Sequence, residues 1–172
     1  MRAREGDLQF EAVFHLHYER IARVVVRIVK DPARAEELAV EVFWRLSKRP
    51  EALGEGVGGW LYRSAVRAAL YDLRREARRS RGVLWARQLW PFHSSPATPE
   101  ETHASAEQQR HVRTVLAAMN TRQAELLLLR ASGLSYQEVA AALSLNPASV
   151  GTLVSRAQRV FRKEYVKRYG EP

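Results

Sequence analysis

Arginine and aromatic residues with the spacing of one helix face stand out in the first half of the chain. On a helix beginning near residue 60, they project within about 80° of one another. The set consists of Trp60, Arg63, Arg67, Tyr71, Arg74, Arg78 and Arg81. Aromatic rings can stack on unpaired bases while guanidinium groups follow the phosphates, so the pattern predicts a surface for single-stranded nucleic acid. Alternatively, Trp60 and Tyr71 belong to the core and the arginines form a solvated face.

The last predicted helix begins at Pro147 and carries a second polar face. On this face short hydroxyl side chains come first and cations follow, opposite an apolar stripe. The polar residues are Ser149, Thr152, Arg156, Arg159 and Lys163. Hydroxyls suit the edges of bases and cations suit phosphates. This helix therefore has the composition expected of one that lies in the major groove of duplex DNA.

The segment before that helix has the spacing of a helix-turn-helix. Counted from Tyr136, the places that such a motif buries hold Val139, Ala140, Leu143, Leu145, Val150 and Leu153. Ser144 stands in the turn, where glycine is frequent. The alternative is a plain helical hairpin without a ligand.

The rest of the chain has to position these two faces. Apolar residues recur at spacings of three and four, with almost no alternation of period two, which predicts an all-α protein. Three helices are expected before residue 80, and four after residue 105. Proline, glycine and serine concentrate between them. We therefore predict two small helical domains, at 1–80 and 106–172, joined by a linker at 81–105.

Several residues predict where helices begin. Asp31 is placed to cap the second helix, with Pro32 at its first position. In the second half, Thr121 is expected to cap one helix, and Ser135 with Glu138 forms a predicted capping box. The linker carries an unexplained apolar cluster, which consists of Leu84, Trp85, Leu89, Trp90 and Phe92.

Composition excludes several classes of function. The 172 residues include 28 Lys and Arg against 19 Asp and Glu, a net charge of +9, which favours a polyanionic partner. There is no cysteine, and we find no apolar run long enough for a signal peptide or a membrane span. No catalytic constellation, cofactor motif or metal site is recognisable. We therefore expect a non-enzymatic cytoplasmic protein, and a peripheral membrane protein on anionic lipid is a remote alternative.

The order of elements resembles a bacterial RNA polymerase sigma factor of the extracytoplasmic-function (ECF) group. The stretch DPARAEELAVEVFWRL at 31–46 and residues 60–63 are similar to sigma region 2. Residues 121–123, GLSYQEVA at 133–140 and residues 155–157 resemble region 4. The likeness extends over about 8–79 and 108–165. It implies a factor that binds core RNA polymerase and directs promoter recognition and transcription initiation.

The resemblance also implies roles for particular residues. The minus-ten element, as an unpaired strand, would be held by Trp60, Arg63, Arg67, Tyr71, Arg74 and Arg78. The minus-thirty-five duplex would be read by Ser149, Thr152, Ser155, Arg156 and Arg159, with Arg122 and Tyr136 near phosphates. The β′ clamp helices of core polymerase would contact Glu36, Glu37, Glu41, Trp44 and Arg45.

The implied partners are core RNA polymerase, through its β′ and β subunits, and promoter DNA. An anti-sigma factor is a further possible partner. A stand-alone helix-turn-helix regulator, which binds its operator without polymerase, is the alternative function.

Overall fold

A computed structural model describes the backbone of residues 2–89 and 100–171 and the side chains of residues 6–80 and 106–171. Throughout this part of the chain the secondary structure is helical, with seven α-helices, one 3₁₀ turn and no strand. The helices are α1 Arg2–Val29, α2 Pro32–Ser47, α3 Val57–Leu89, α4 Glu100–Ala118, α5 Thr121–Ala131, α6 Tyr136–Leu143 and α7 Pro147–Tyr169, and the 3₁₀ turn is Pro50–Leu53. The all-α prediction is confirmed.

The first three helices pack around the apolar stripes that the spacing predicted. Ile21 and Val25 of α1, Phe43 of α2 and Leu61 of α3 are almost completely buried. The ring of Phe14 lies edge-on to that of Phe43, with centroids 5.0 Å apart. Burial of side chains of this size contributes about 1.5 to 3 kcal/mol each, which explains why α1, α2 and α3 stay together.

The start of α2 follows the predicted capping. The Oδ1 atom of Asp31 accepts a hydrogen bond from the backbone N–H of Arg34 at 3.1 Å, and Pro32 occupies the first helical position. The side chain of Arg34 then reaches α3, where its Nε donates to Asp72 at 2.9 Å. The start of α2 therefore combines its cap with a contact to α3.

In the second half, the cap of α5 differs from the prediction. Asn120, and not Thr121, caps the helix, because its Oδ1 accepts from the backbone N–H of Arg122 at 2.9 Å. Thr121 is the first helical residue, and its hydroxyl instead accepts a hydrogen bond from Arg74. The capping box of α6 is present as predicted, with Ser135 and Glu138 bonded reciprocally at 2.7 and 3.2 Å.

The helices around the predicted linker are longer than expected. Helix α3 continues ten residues beyond its predicted end near Arg79, and α4 begins at Glu100. Residues 90–99 lie outside the described residues. The side chains of the predicted apolar cluster, Leu84, Trp85, Leu89, Trp90 and Phe92, also lie outside the described residues.

The two halves pack against each other along α3. This helix contacts α1 and α2 on one side and α4, α5 and α6 on the other. The buried residues form one continuous core that includes Leu70 of α3, Val115 of α4 and Leu129 of α5. The assignment of residues 1–80 and 106–172 to separate domains stays a prediction.

Ser144 offers a test of the turn between α6 and α7. It ends α6 in the left-handed conformation, at φ 53° and ψ 52°, which costs a residue with a Cβ about 1 to 2 kcal/mol. We expect Ser144→Gly to raise the free energy of unfolding by about 0.5 to 1 kcal/mol, after the entropy cost of glycine is subtracted. Urea denaturation followed by circular dichroism measures the change.

Ser132 provides the matched control. It ends α5 with φ −79°, a conformation that any residue adopts. Ser132→Gly should therefore lower the free energy of unfolding. Equal effects of the two substitutions would contradict the strain at Ser144.

Candidate nucleic-acid interface

Helix α7 presents its predicted polar residues to solvent. Thr152, Ser155, Arg156 and Arg159 are exposed, whereas Val150, Val154 and Ala157 on the opposite side are buried. Ser149 is half-buried, and its hydroxyl donates to the backbone oxygen of Asn146 at 2.8 Å. We call Ser149, Thr152, Ser155, Arg156 and Arg159 the α7 face. The four exposed members, Thr152, Ser155, Arg156 and Arg159, lie outside the core on one side of α7.

The helices before α7 hold it at a fixed angle. Arg122 of α5 is half-buried and donates from Nη2 to the backbone oxygen of Leu143 at the end of α6. Tyr136 lies between α5 and α7, with the guanidinium of Arg130 4.8 Å from its ring centroid. Sequence reasoning did not predict this cation–π pair.

Gly151 makes room for Tyr136. A Cβ atom at Gly151 would come within 3.3 Å of Cε2 of Tyr136, closer than Cβ atoms normally approach. Tyr136 is nevertheless 46% exposed, next to Gly151 of α7. The absence of a side chain at position 151 thus positions Tyr136.

The predicted residues of α3 differ more in their exposure to solvent than those of α7. We call Trp60, Arg63, Arg67, Tyr71, Arg74 and Arg78 the α3 face. Tyr71 and Arg78 are exposed, and Trp60 is half-buried, packing against the core. The Nε of Arg63 is buried and finds no hydrogen-bond acceptor among the described residues. The side chain of Arg81 lies outside the described residues.

Two residues of the α3 face bind the second half of the chain. Arg67 donates from Nε to Oε1 of Glu125 on α5 at 2.5 Å. Arg74 donates to the backbone oxygens of Ala117 and Met119 and to the hydroxyl of Thr121. Arg74 is half-buried in these contacts, whereas the side chain of Arg67 stays 49% exposed. The role of the α3 face in binding a nucleic-acid strand stays a prediction.

Glu125 was missed in the sequence analysis, although a signal for it exists. The residue lies between Ala124 and Leu126, and all three are buried in the structure. An acidic residue within the apolar side of a helix requires a cation, because an unpaired buried charge is costly. The sequence could have indicated that Glu125 needs a cation, but not that this cation is Arg67, 58 residues away.

Helix α2 carries a third exposed surface. Glu36, Glu37, Glu41, Trp44 and Arg45, which we call the α2 face, are all exposed, and Trp44 is 60% exposed. Arg45 pairs with Glu41 at 2.5 Å, and Lys48 lies 5.7 Å from the Trp44 ring centroid. An exposed indole ringed by charges has the composition of a protein-binding hot spot.

Two family models match the chain. Sigma-70 region 2 matches residues 13–79, which contain the α2 face and the α3 face. Sigma-70 region 4 matches residues 109–159, which contain the helix-turn-helix and the α7 face. The chain carries both domains, which indicates a sigma factor of the sigma-70 family. These domains support a role in promoter recognition and transcription initiation, and they imply binding to core RNA polymerase and promoter DNA.

Within the described part of the chain, no helix combines the length and the apolar character needed to cross a membrane. Over the same residues, no cluster of three or more His, Asp or Glu side chains could hold a metal ion.

The capping box that orients α6 predicts a pH effect. Hydrogen bonds from the backbone N–H and the side chain of Ser135 lower the pKa of the Glu138 carboxyl from its ordinary value. Because the pKa of Glu138 is lower in the folded state than in the unfolded state, its ionised carboxylate stabilises the fold at pH values above the unfolded-state pKa. This contribution is lost as pH falls through the folded-state pKa. Glu138→Gln keeps an acceptor for the N–H without the titration.

Between about pH 5 and pH 3, we expect the wild type to lose up to about 0.5 kcal/mol more of its unfolding free energy than Glu138→Gln, a small value because Glu138 is exposed. Urea denaturation at each pH measures the difference. Identical pH dependence of the two proteins would contradict the role of the carboxylate.

Proposed function

We propose that the chain is a sigma factor of the extracytoplasmic-function type, which acts with core RNA polymerase in the cytoplasm. Its α2 face binds the β′ clamp helices, its α3 face holds the unpaired strand of the minus-ten element, and its α7 face reads the minus-thirty-five duplex. The observation that carries the proposal is the occurrence of these three surfaces within the sigma-70 region 2 and region 4 matches.

The α7 face supports duplex reading through its geometry. Thr152 and Ser155 are short and exposed, so they can approach base edges, while Arg156 and Arg159 reach farther. An arginine can contact the O6 and N7 atoms of guanine with two hydrogen bonds, which distinguishes that base from the others. Tyr136 packs against Gly151 of α7, and Arg122 bonds to the end of α6, so both are available as phosphate contacts beside this surface.

The α3 face supports strand binding through its composition. Tyr71 is 65% exposed and lies one helix turn from Arg67 and Arg74. An exposed ring between guanidinium groups suits an unpaired base next to its phosphates. The outward ring of Tyr71 also disfavours the alternative that it is a core residue.

Reconstitution with core RNA polymerase tests the proposal. The holoenzyme should produce transcripts with discrete start sites from genomic DNA, and sequencing those transcripts would give the promoter elements. Failure to bind core polymerase in a pull-down would overturn it. Sequence-specific binding to an operator by the free chain, without core, would instead support a stand-alone regulator. An anti-sigma factor, if one exists, would co-purify and suppress these transcripts.

Arg156→Ala tests base reading by α7. If Arg156 contacts a base, the holoenzyme should lose about 1 to 3 kcal/mol of binding free energy on the upstream element, with relaxed preference at one base pair. Binding to a panel of single-base variants measures both effects. Arg162→Ala is the control, because Arg162 lies on the same helix about 120° away and is exposed. An equal loss of binding free energy on every sequence would indicate that Arg156 contacts a phosphate and not a base.

Trp44→Ala tests the α2 face. Truncation of a central aromatic anchor typically costs 2 kcal/mol or more in binding, so we expect at least about a 30-fold weaker affinity for core polymerase. The exposed ring should leave folding unchanged. Leu16→Ala removes a side chain that is 68% exposed on α1 and serves as control. Equal affinities of the two variants would exclude Trp44 from the interface.

A further inference from the structure

A cleft lies between α3, α4 and the end of α7, and no residue of the α2 face or the α7 face lines it. Its volume is about 660 Å³, which is within the range of small-molecule sites. Each of the three helices contributes arginines to the lining, and we call this site the arginine cleft. The arginines are Arg74 and Arg78 of α3, Arg110 and Arg113 of α4, and Arg168 of α7.

The charge of this lining is strongly unbalanced. Among the described residues that line the arginine cleft, Glu76 is the only acid against five arginines. A neighbouring cleft of about 330 Å³ shares Glu76 but has four acids against three arginines. There Arg34 is bonded to two of the acids, Asp72 and Glu37. The neighbouring cleft is therefore close to neutral, whereas the arginine cleft keeps a large excess of positive charge.

Three arginines of the cleft have donors available for a ligand. The side chains of Arg78 and Arg110 are exposed and make no hydrogen bond or ion pair with any described residue. Arg168 is also exposed, and its Nη2 lies 3.6 Å from Oε2 of Glu164, which is too far for a hydrogen bond. A guanidinium has five N–H donors. These side chains can therefore donate to several anionic oxygens at once.

The other two arginines are fixed by bonds within the chain. Arg74 donates to two backbone oxygens at the end of α4 and to the hydroxyl of Thr121. Arg113 donates from Nη1 to the backbone oxygen of Val29 at 3.1 Å. Both arginines are half-buried, so water and salt screen their charges less than those of exposed side chains. They add a fixed positive potential to a cleft in which the other three side chains can adjust.

Linked phosphates fit this arrangement better than other anions do. Guanidinium groups bind phosphate oxygens in pairs. Because the available arginines lie on three helices, a chain of phosphates can reach more of them than a single phosphate can. A nucleic-acid strand has a sugar between successive phosphates, so its charge is less concentrated than that of a polyphosphate. We propose that the arginine cleft binds a polyphosphate anion, which is either an inorganic chain or the phosphates of a nucleotide.

Isothermal titration calorimetry of the full chain with inorganic tripolyphosphate tests the site. The wild type should bind one equivalent at physiological ionic strength, where contacts between exposed charges are largely screened. Arg78→Ala and Arg110→Ala should each weaken binding about tenfold, which corresponds to the loss of a hydrogen bond to a charged group. Both side chains are exposed, so the fold should be unchanged, and circular dichroism verifies this.

Arg79→Ala is the matched control. Arg79 follows Arg78 on α3 and is exposed, but it lines the neighbouring cleft instead. The substitution removes the same charge, and the affinity for tripolyphosphate should stay near that of the wild type. Equal losses from Arg78→Ala and Arg79→Ala would show that the anion responds only to the net charge of the chain. That result, or a wild type that does not bind tripolyphosphate, would overturn the proposal.

Glu76→Gln tests the site in the opposite direction. It removes the acid from the lining of the arginine cleft and should strengthen tripolyphosphate binding about fivefold, because it removes a repulsion between like charges. Glu36→Gln makes the same change in charge on α2, outside the cleft, and should leave the affinity unchanged. An equal gain from both substitutions would contradict a local site.

Two further ligands identify the source of the phosphates. A nucleoside triphosphate that binds more tightly than tripolyphosphate would identify the ligand as a nucleotide, and one that binds equally or more weakly would identify it as an inorganic chain. Arg110→Ala should not change the affinity for a fluorescent oligothymidylate, measured by anisotropy, because Arg110 lies on α4 and outside the α3 face. Equal losses for oligothymidylate and tripolyphosphate would assign the cleft to a nucleic-acid strand and overturn the proposal.

The tripolyphosphate titrations contain neither core polymerase nor promoter DNA. Site-specific binding of tripolyphosphate together with a failed reconstitution would leave the anion site standing and refute the proposed function alone. Transcription by a holoenzyme whose free chain does not bind tripolyphosphate would refute the anion site alone.

Discussion

The burial of one carboxylate constrains how the two halves of this chain can be arranged. Glu125 lies on the inner side of α5 without solvent contact, and it is bonded to Arg67 from the other half. Removing a charge from water costs several kcal/mol unless a partner compensates. The packing of α3 on α5 is consequently specific in register, since a shift of α3 along α5 would leave the carboxylate without its cation. A purely apolar contact would tolerate such a shift far better.

The same chemistry allows α3 to serve two partners. A guanidinium offers donors in a planar fork that fits carboxylates, phosphates and groups of carbonyl oxygens. Within the chain, Arg67 binds a carboxylate and Arg74 binds carbonyls at the end of α4. A DNA backbone presents equivalent acceptors. The arginine-rich composition that predicted nucleic-acid binding therefore also permits an internal partner, and composition alone cannot distinguish the two.

Much of the fold could be predicted from the sequence, because helices follow local rules. Apolar spacing gave the helices of each half, and Asp31 and Ser135 marked two of their starts through short-range hydrogen bonds. The sequence analysis predicts Thr121 as the cap of α5, whereas the cap is its neighbour Asn120. The prediction is wrong by one residue because both side chains can cap a helix. The continuation of α3 beyond residue 80 was missed, since glycine and proline nearby suggested a linker.

The candidate site was predictable only in part, for a related reason. The α7 face could be read from one helix, because its polar and apolar residues segregate within a single segment. The α3 face required knowledge of what packs on it, and its partners Glu125 and Thr121 lie 58 and 47 residues away. Periodicity identifies a charged side of a helix, but it carries no information about which distant segment meets that side.

The difference in accessibility between the three surfaces has a consequence for how such a chain would work. Under the proposed function, the α2 face and the α7 face meet partners that exist before DNA melts, namely core polymerase and intact duplex. The α3 face meets a partner that exists only after melting. In the free chain Tyr71 and Arg78 are already exposed, whereas Arg74 is half-buried against α4 and α5. A strand that reached Arg67 and Arg74 would therefore have to replace their bonds to Glu125, the α4 carbonyls and Thr121 with bonds to phosphates.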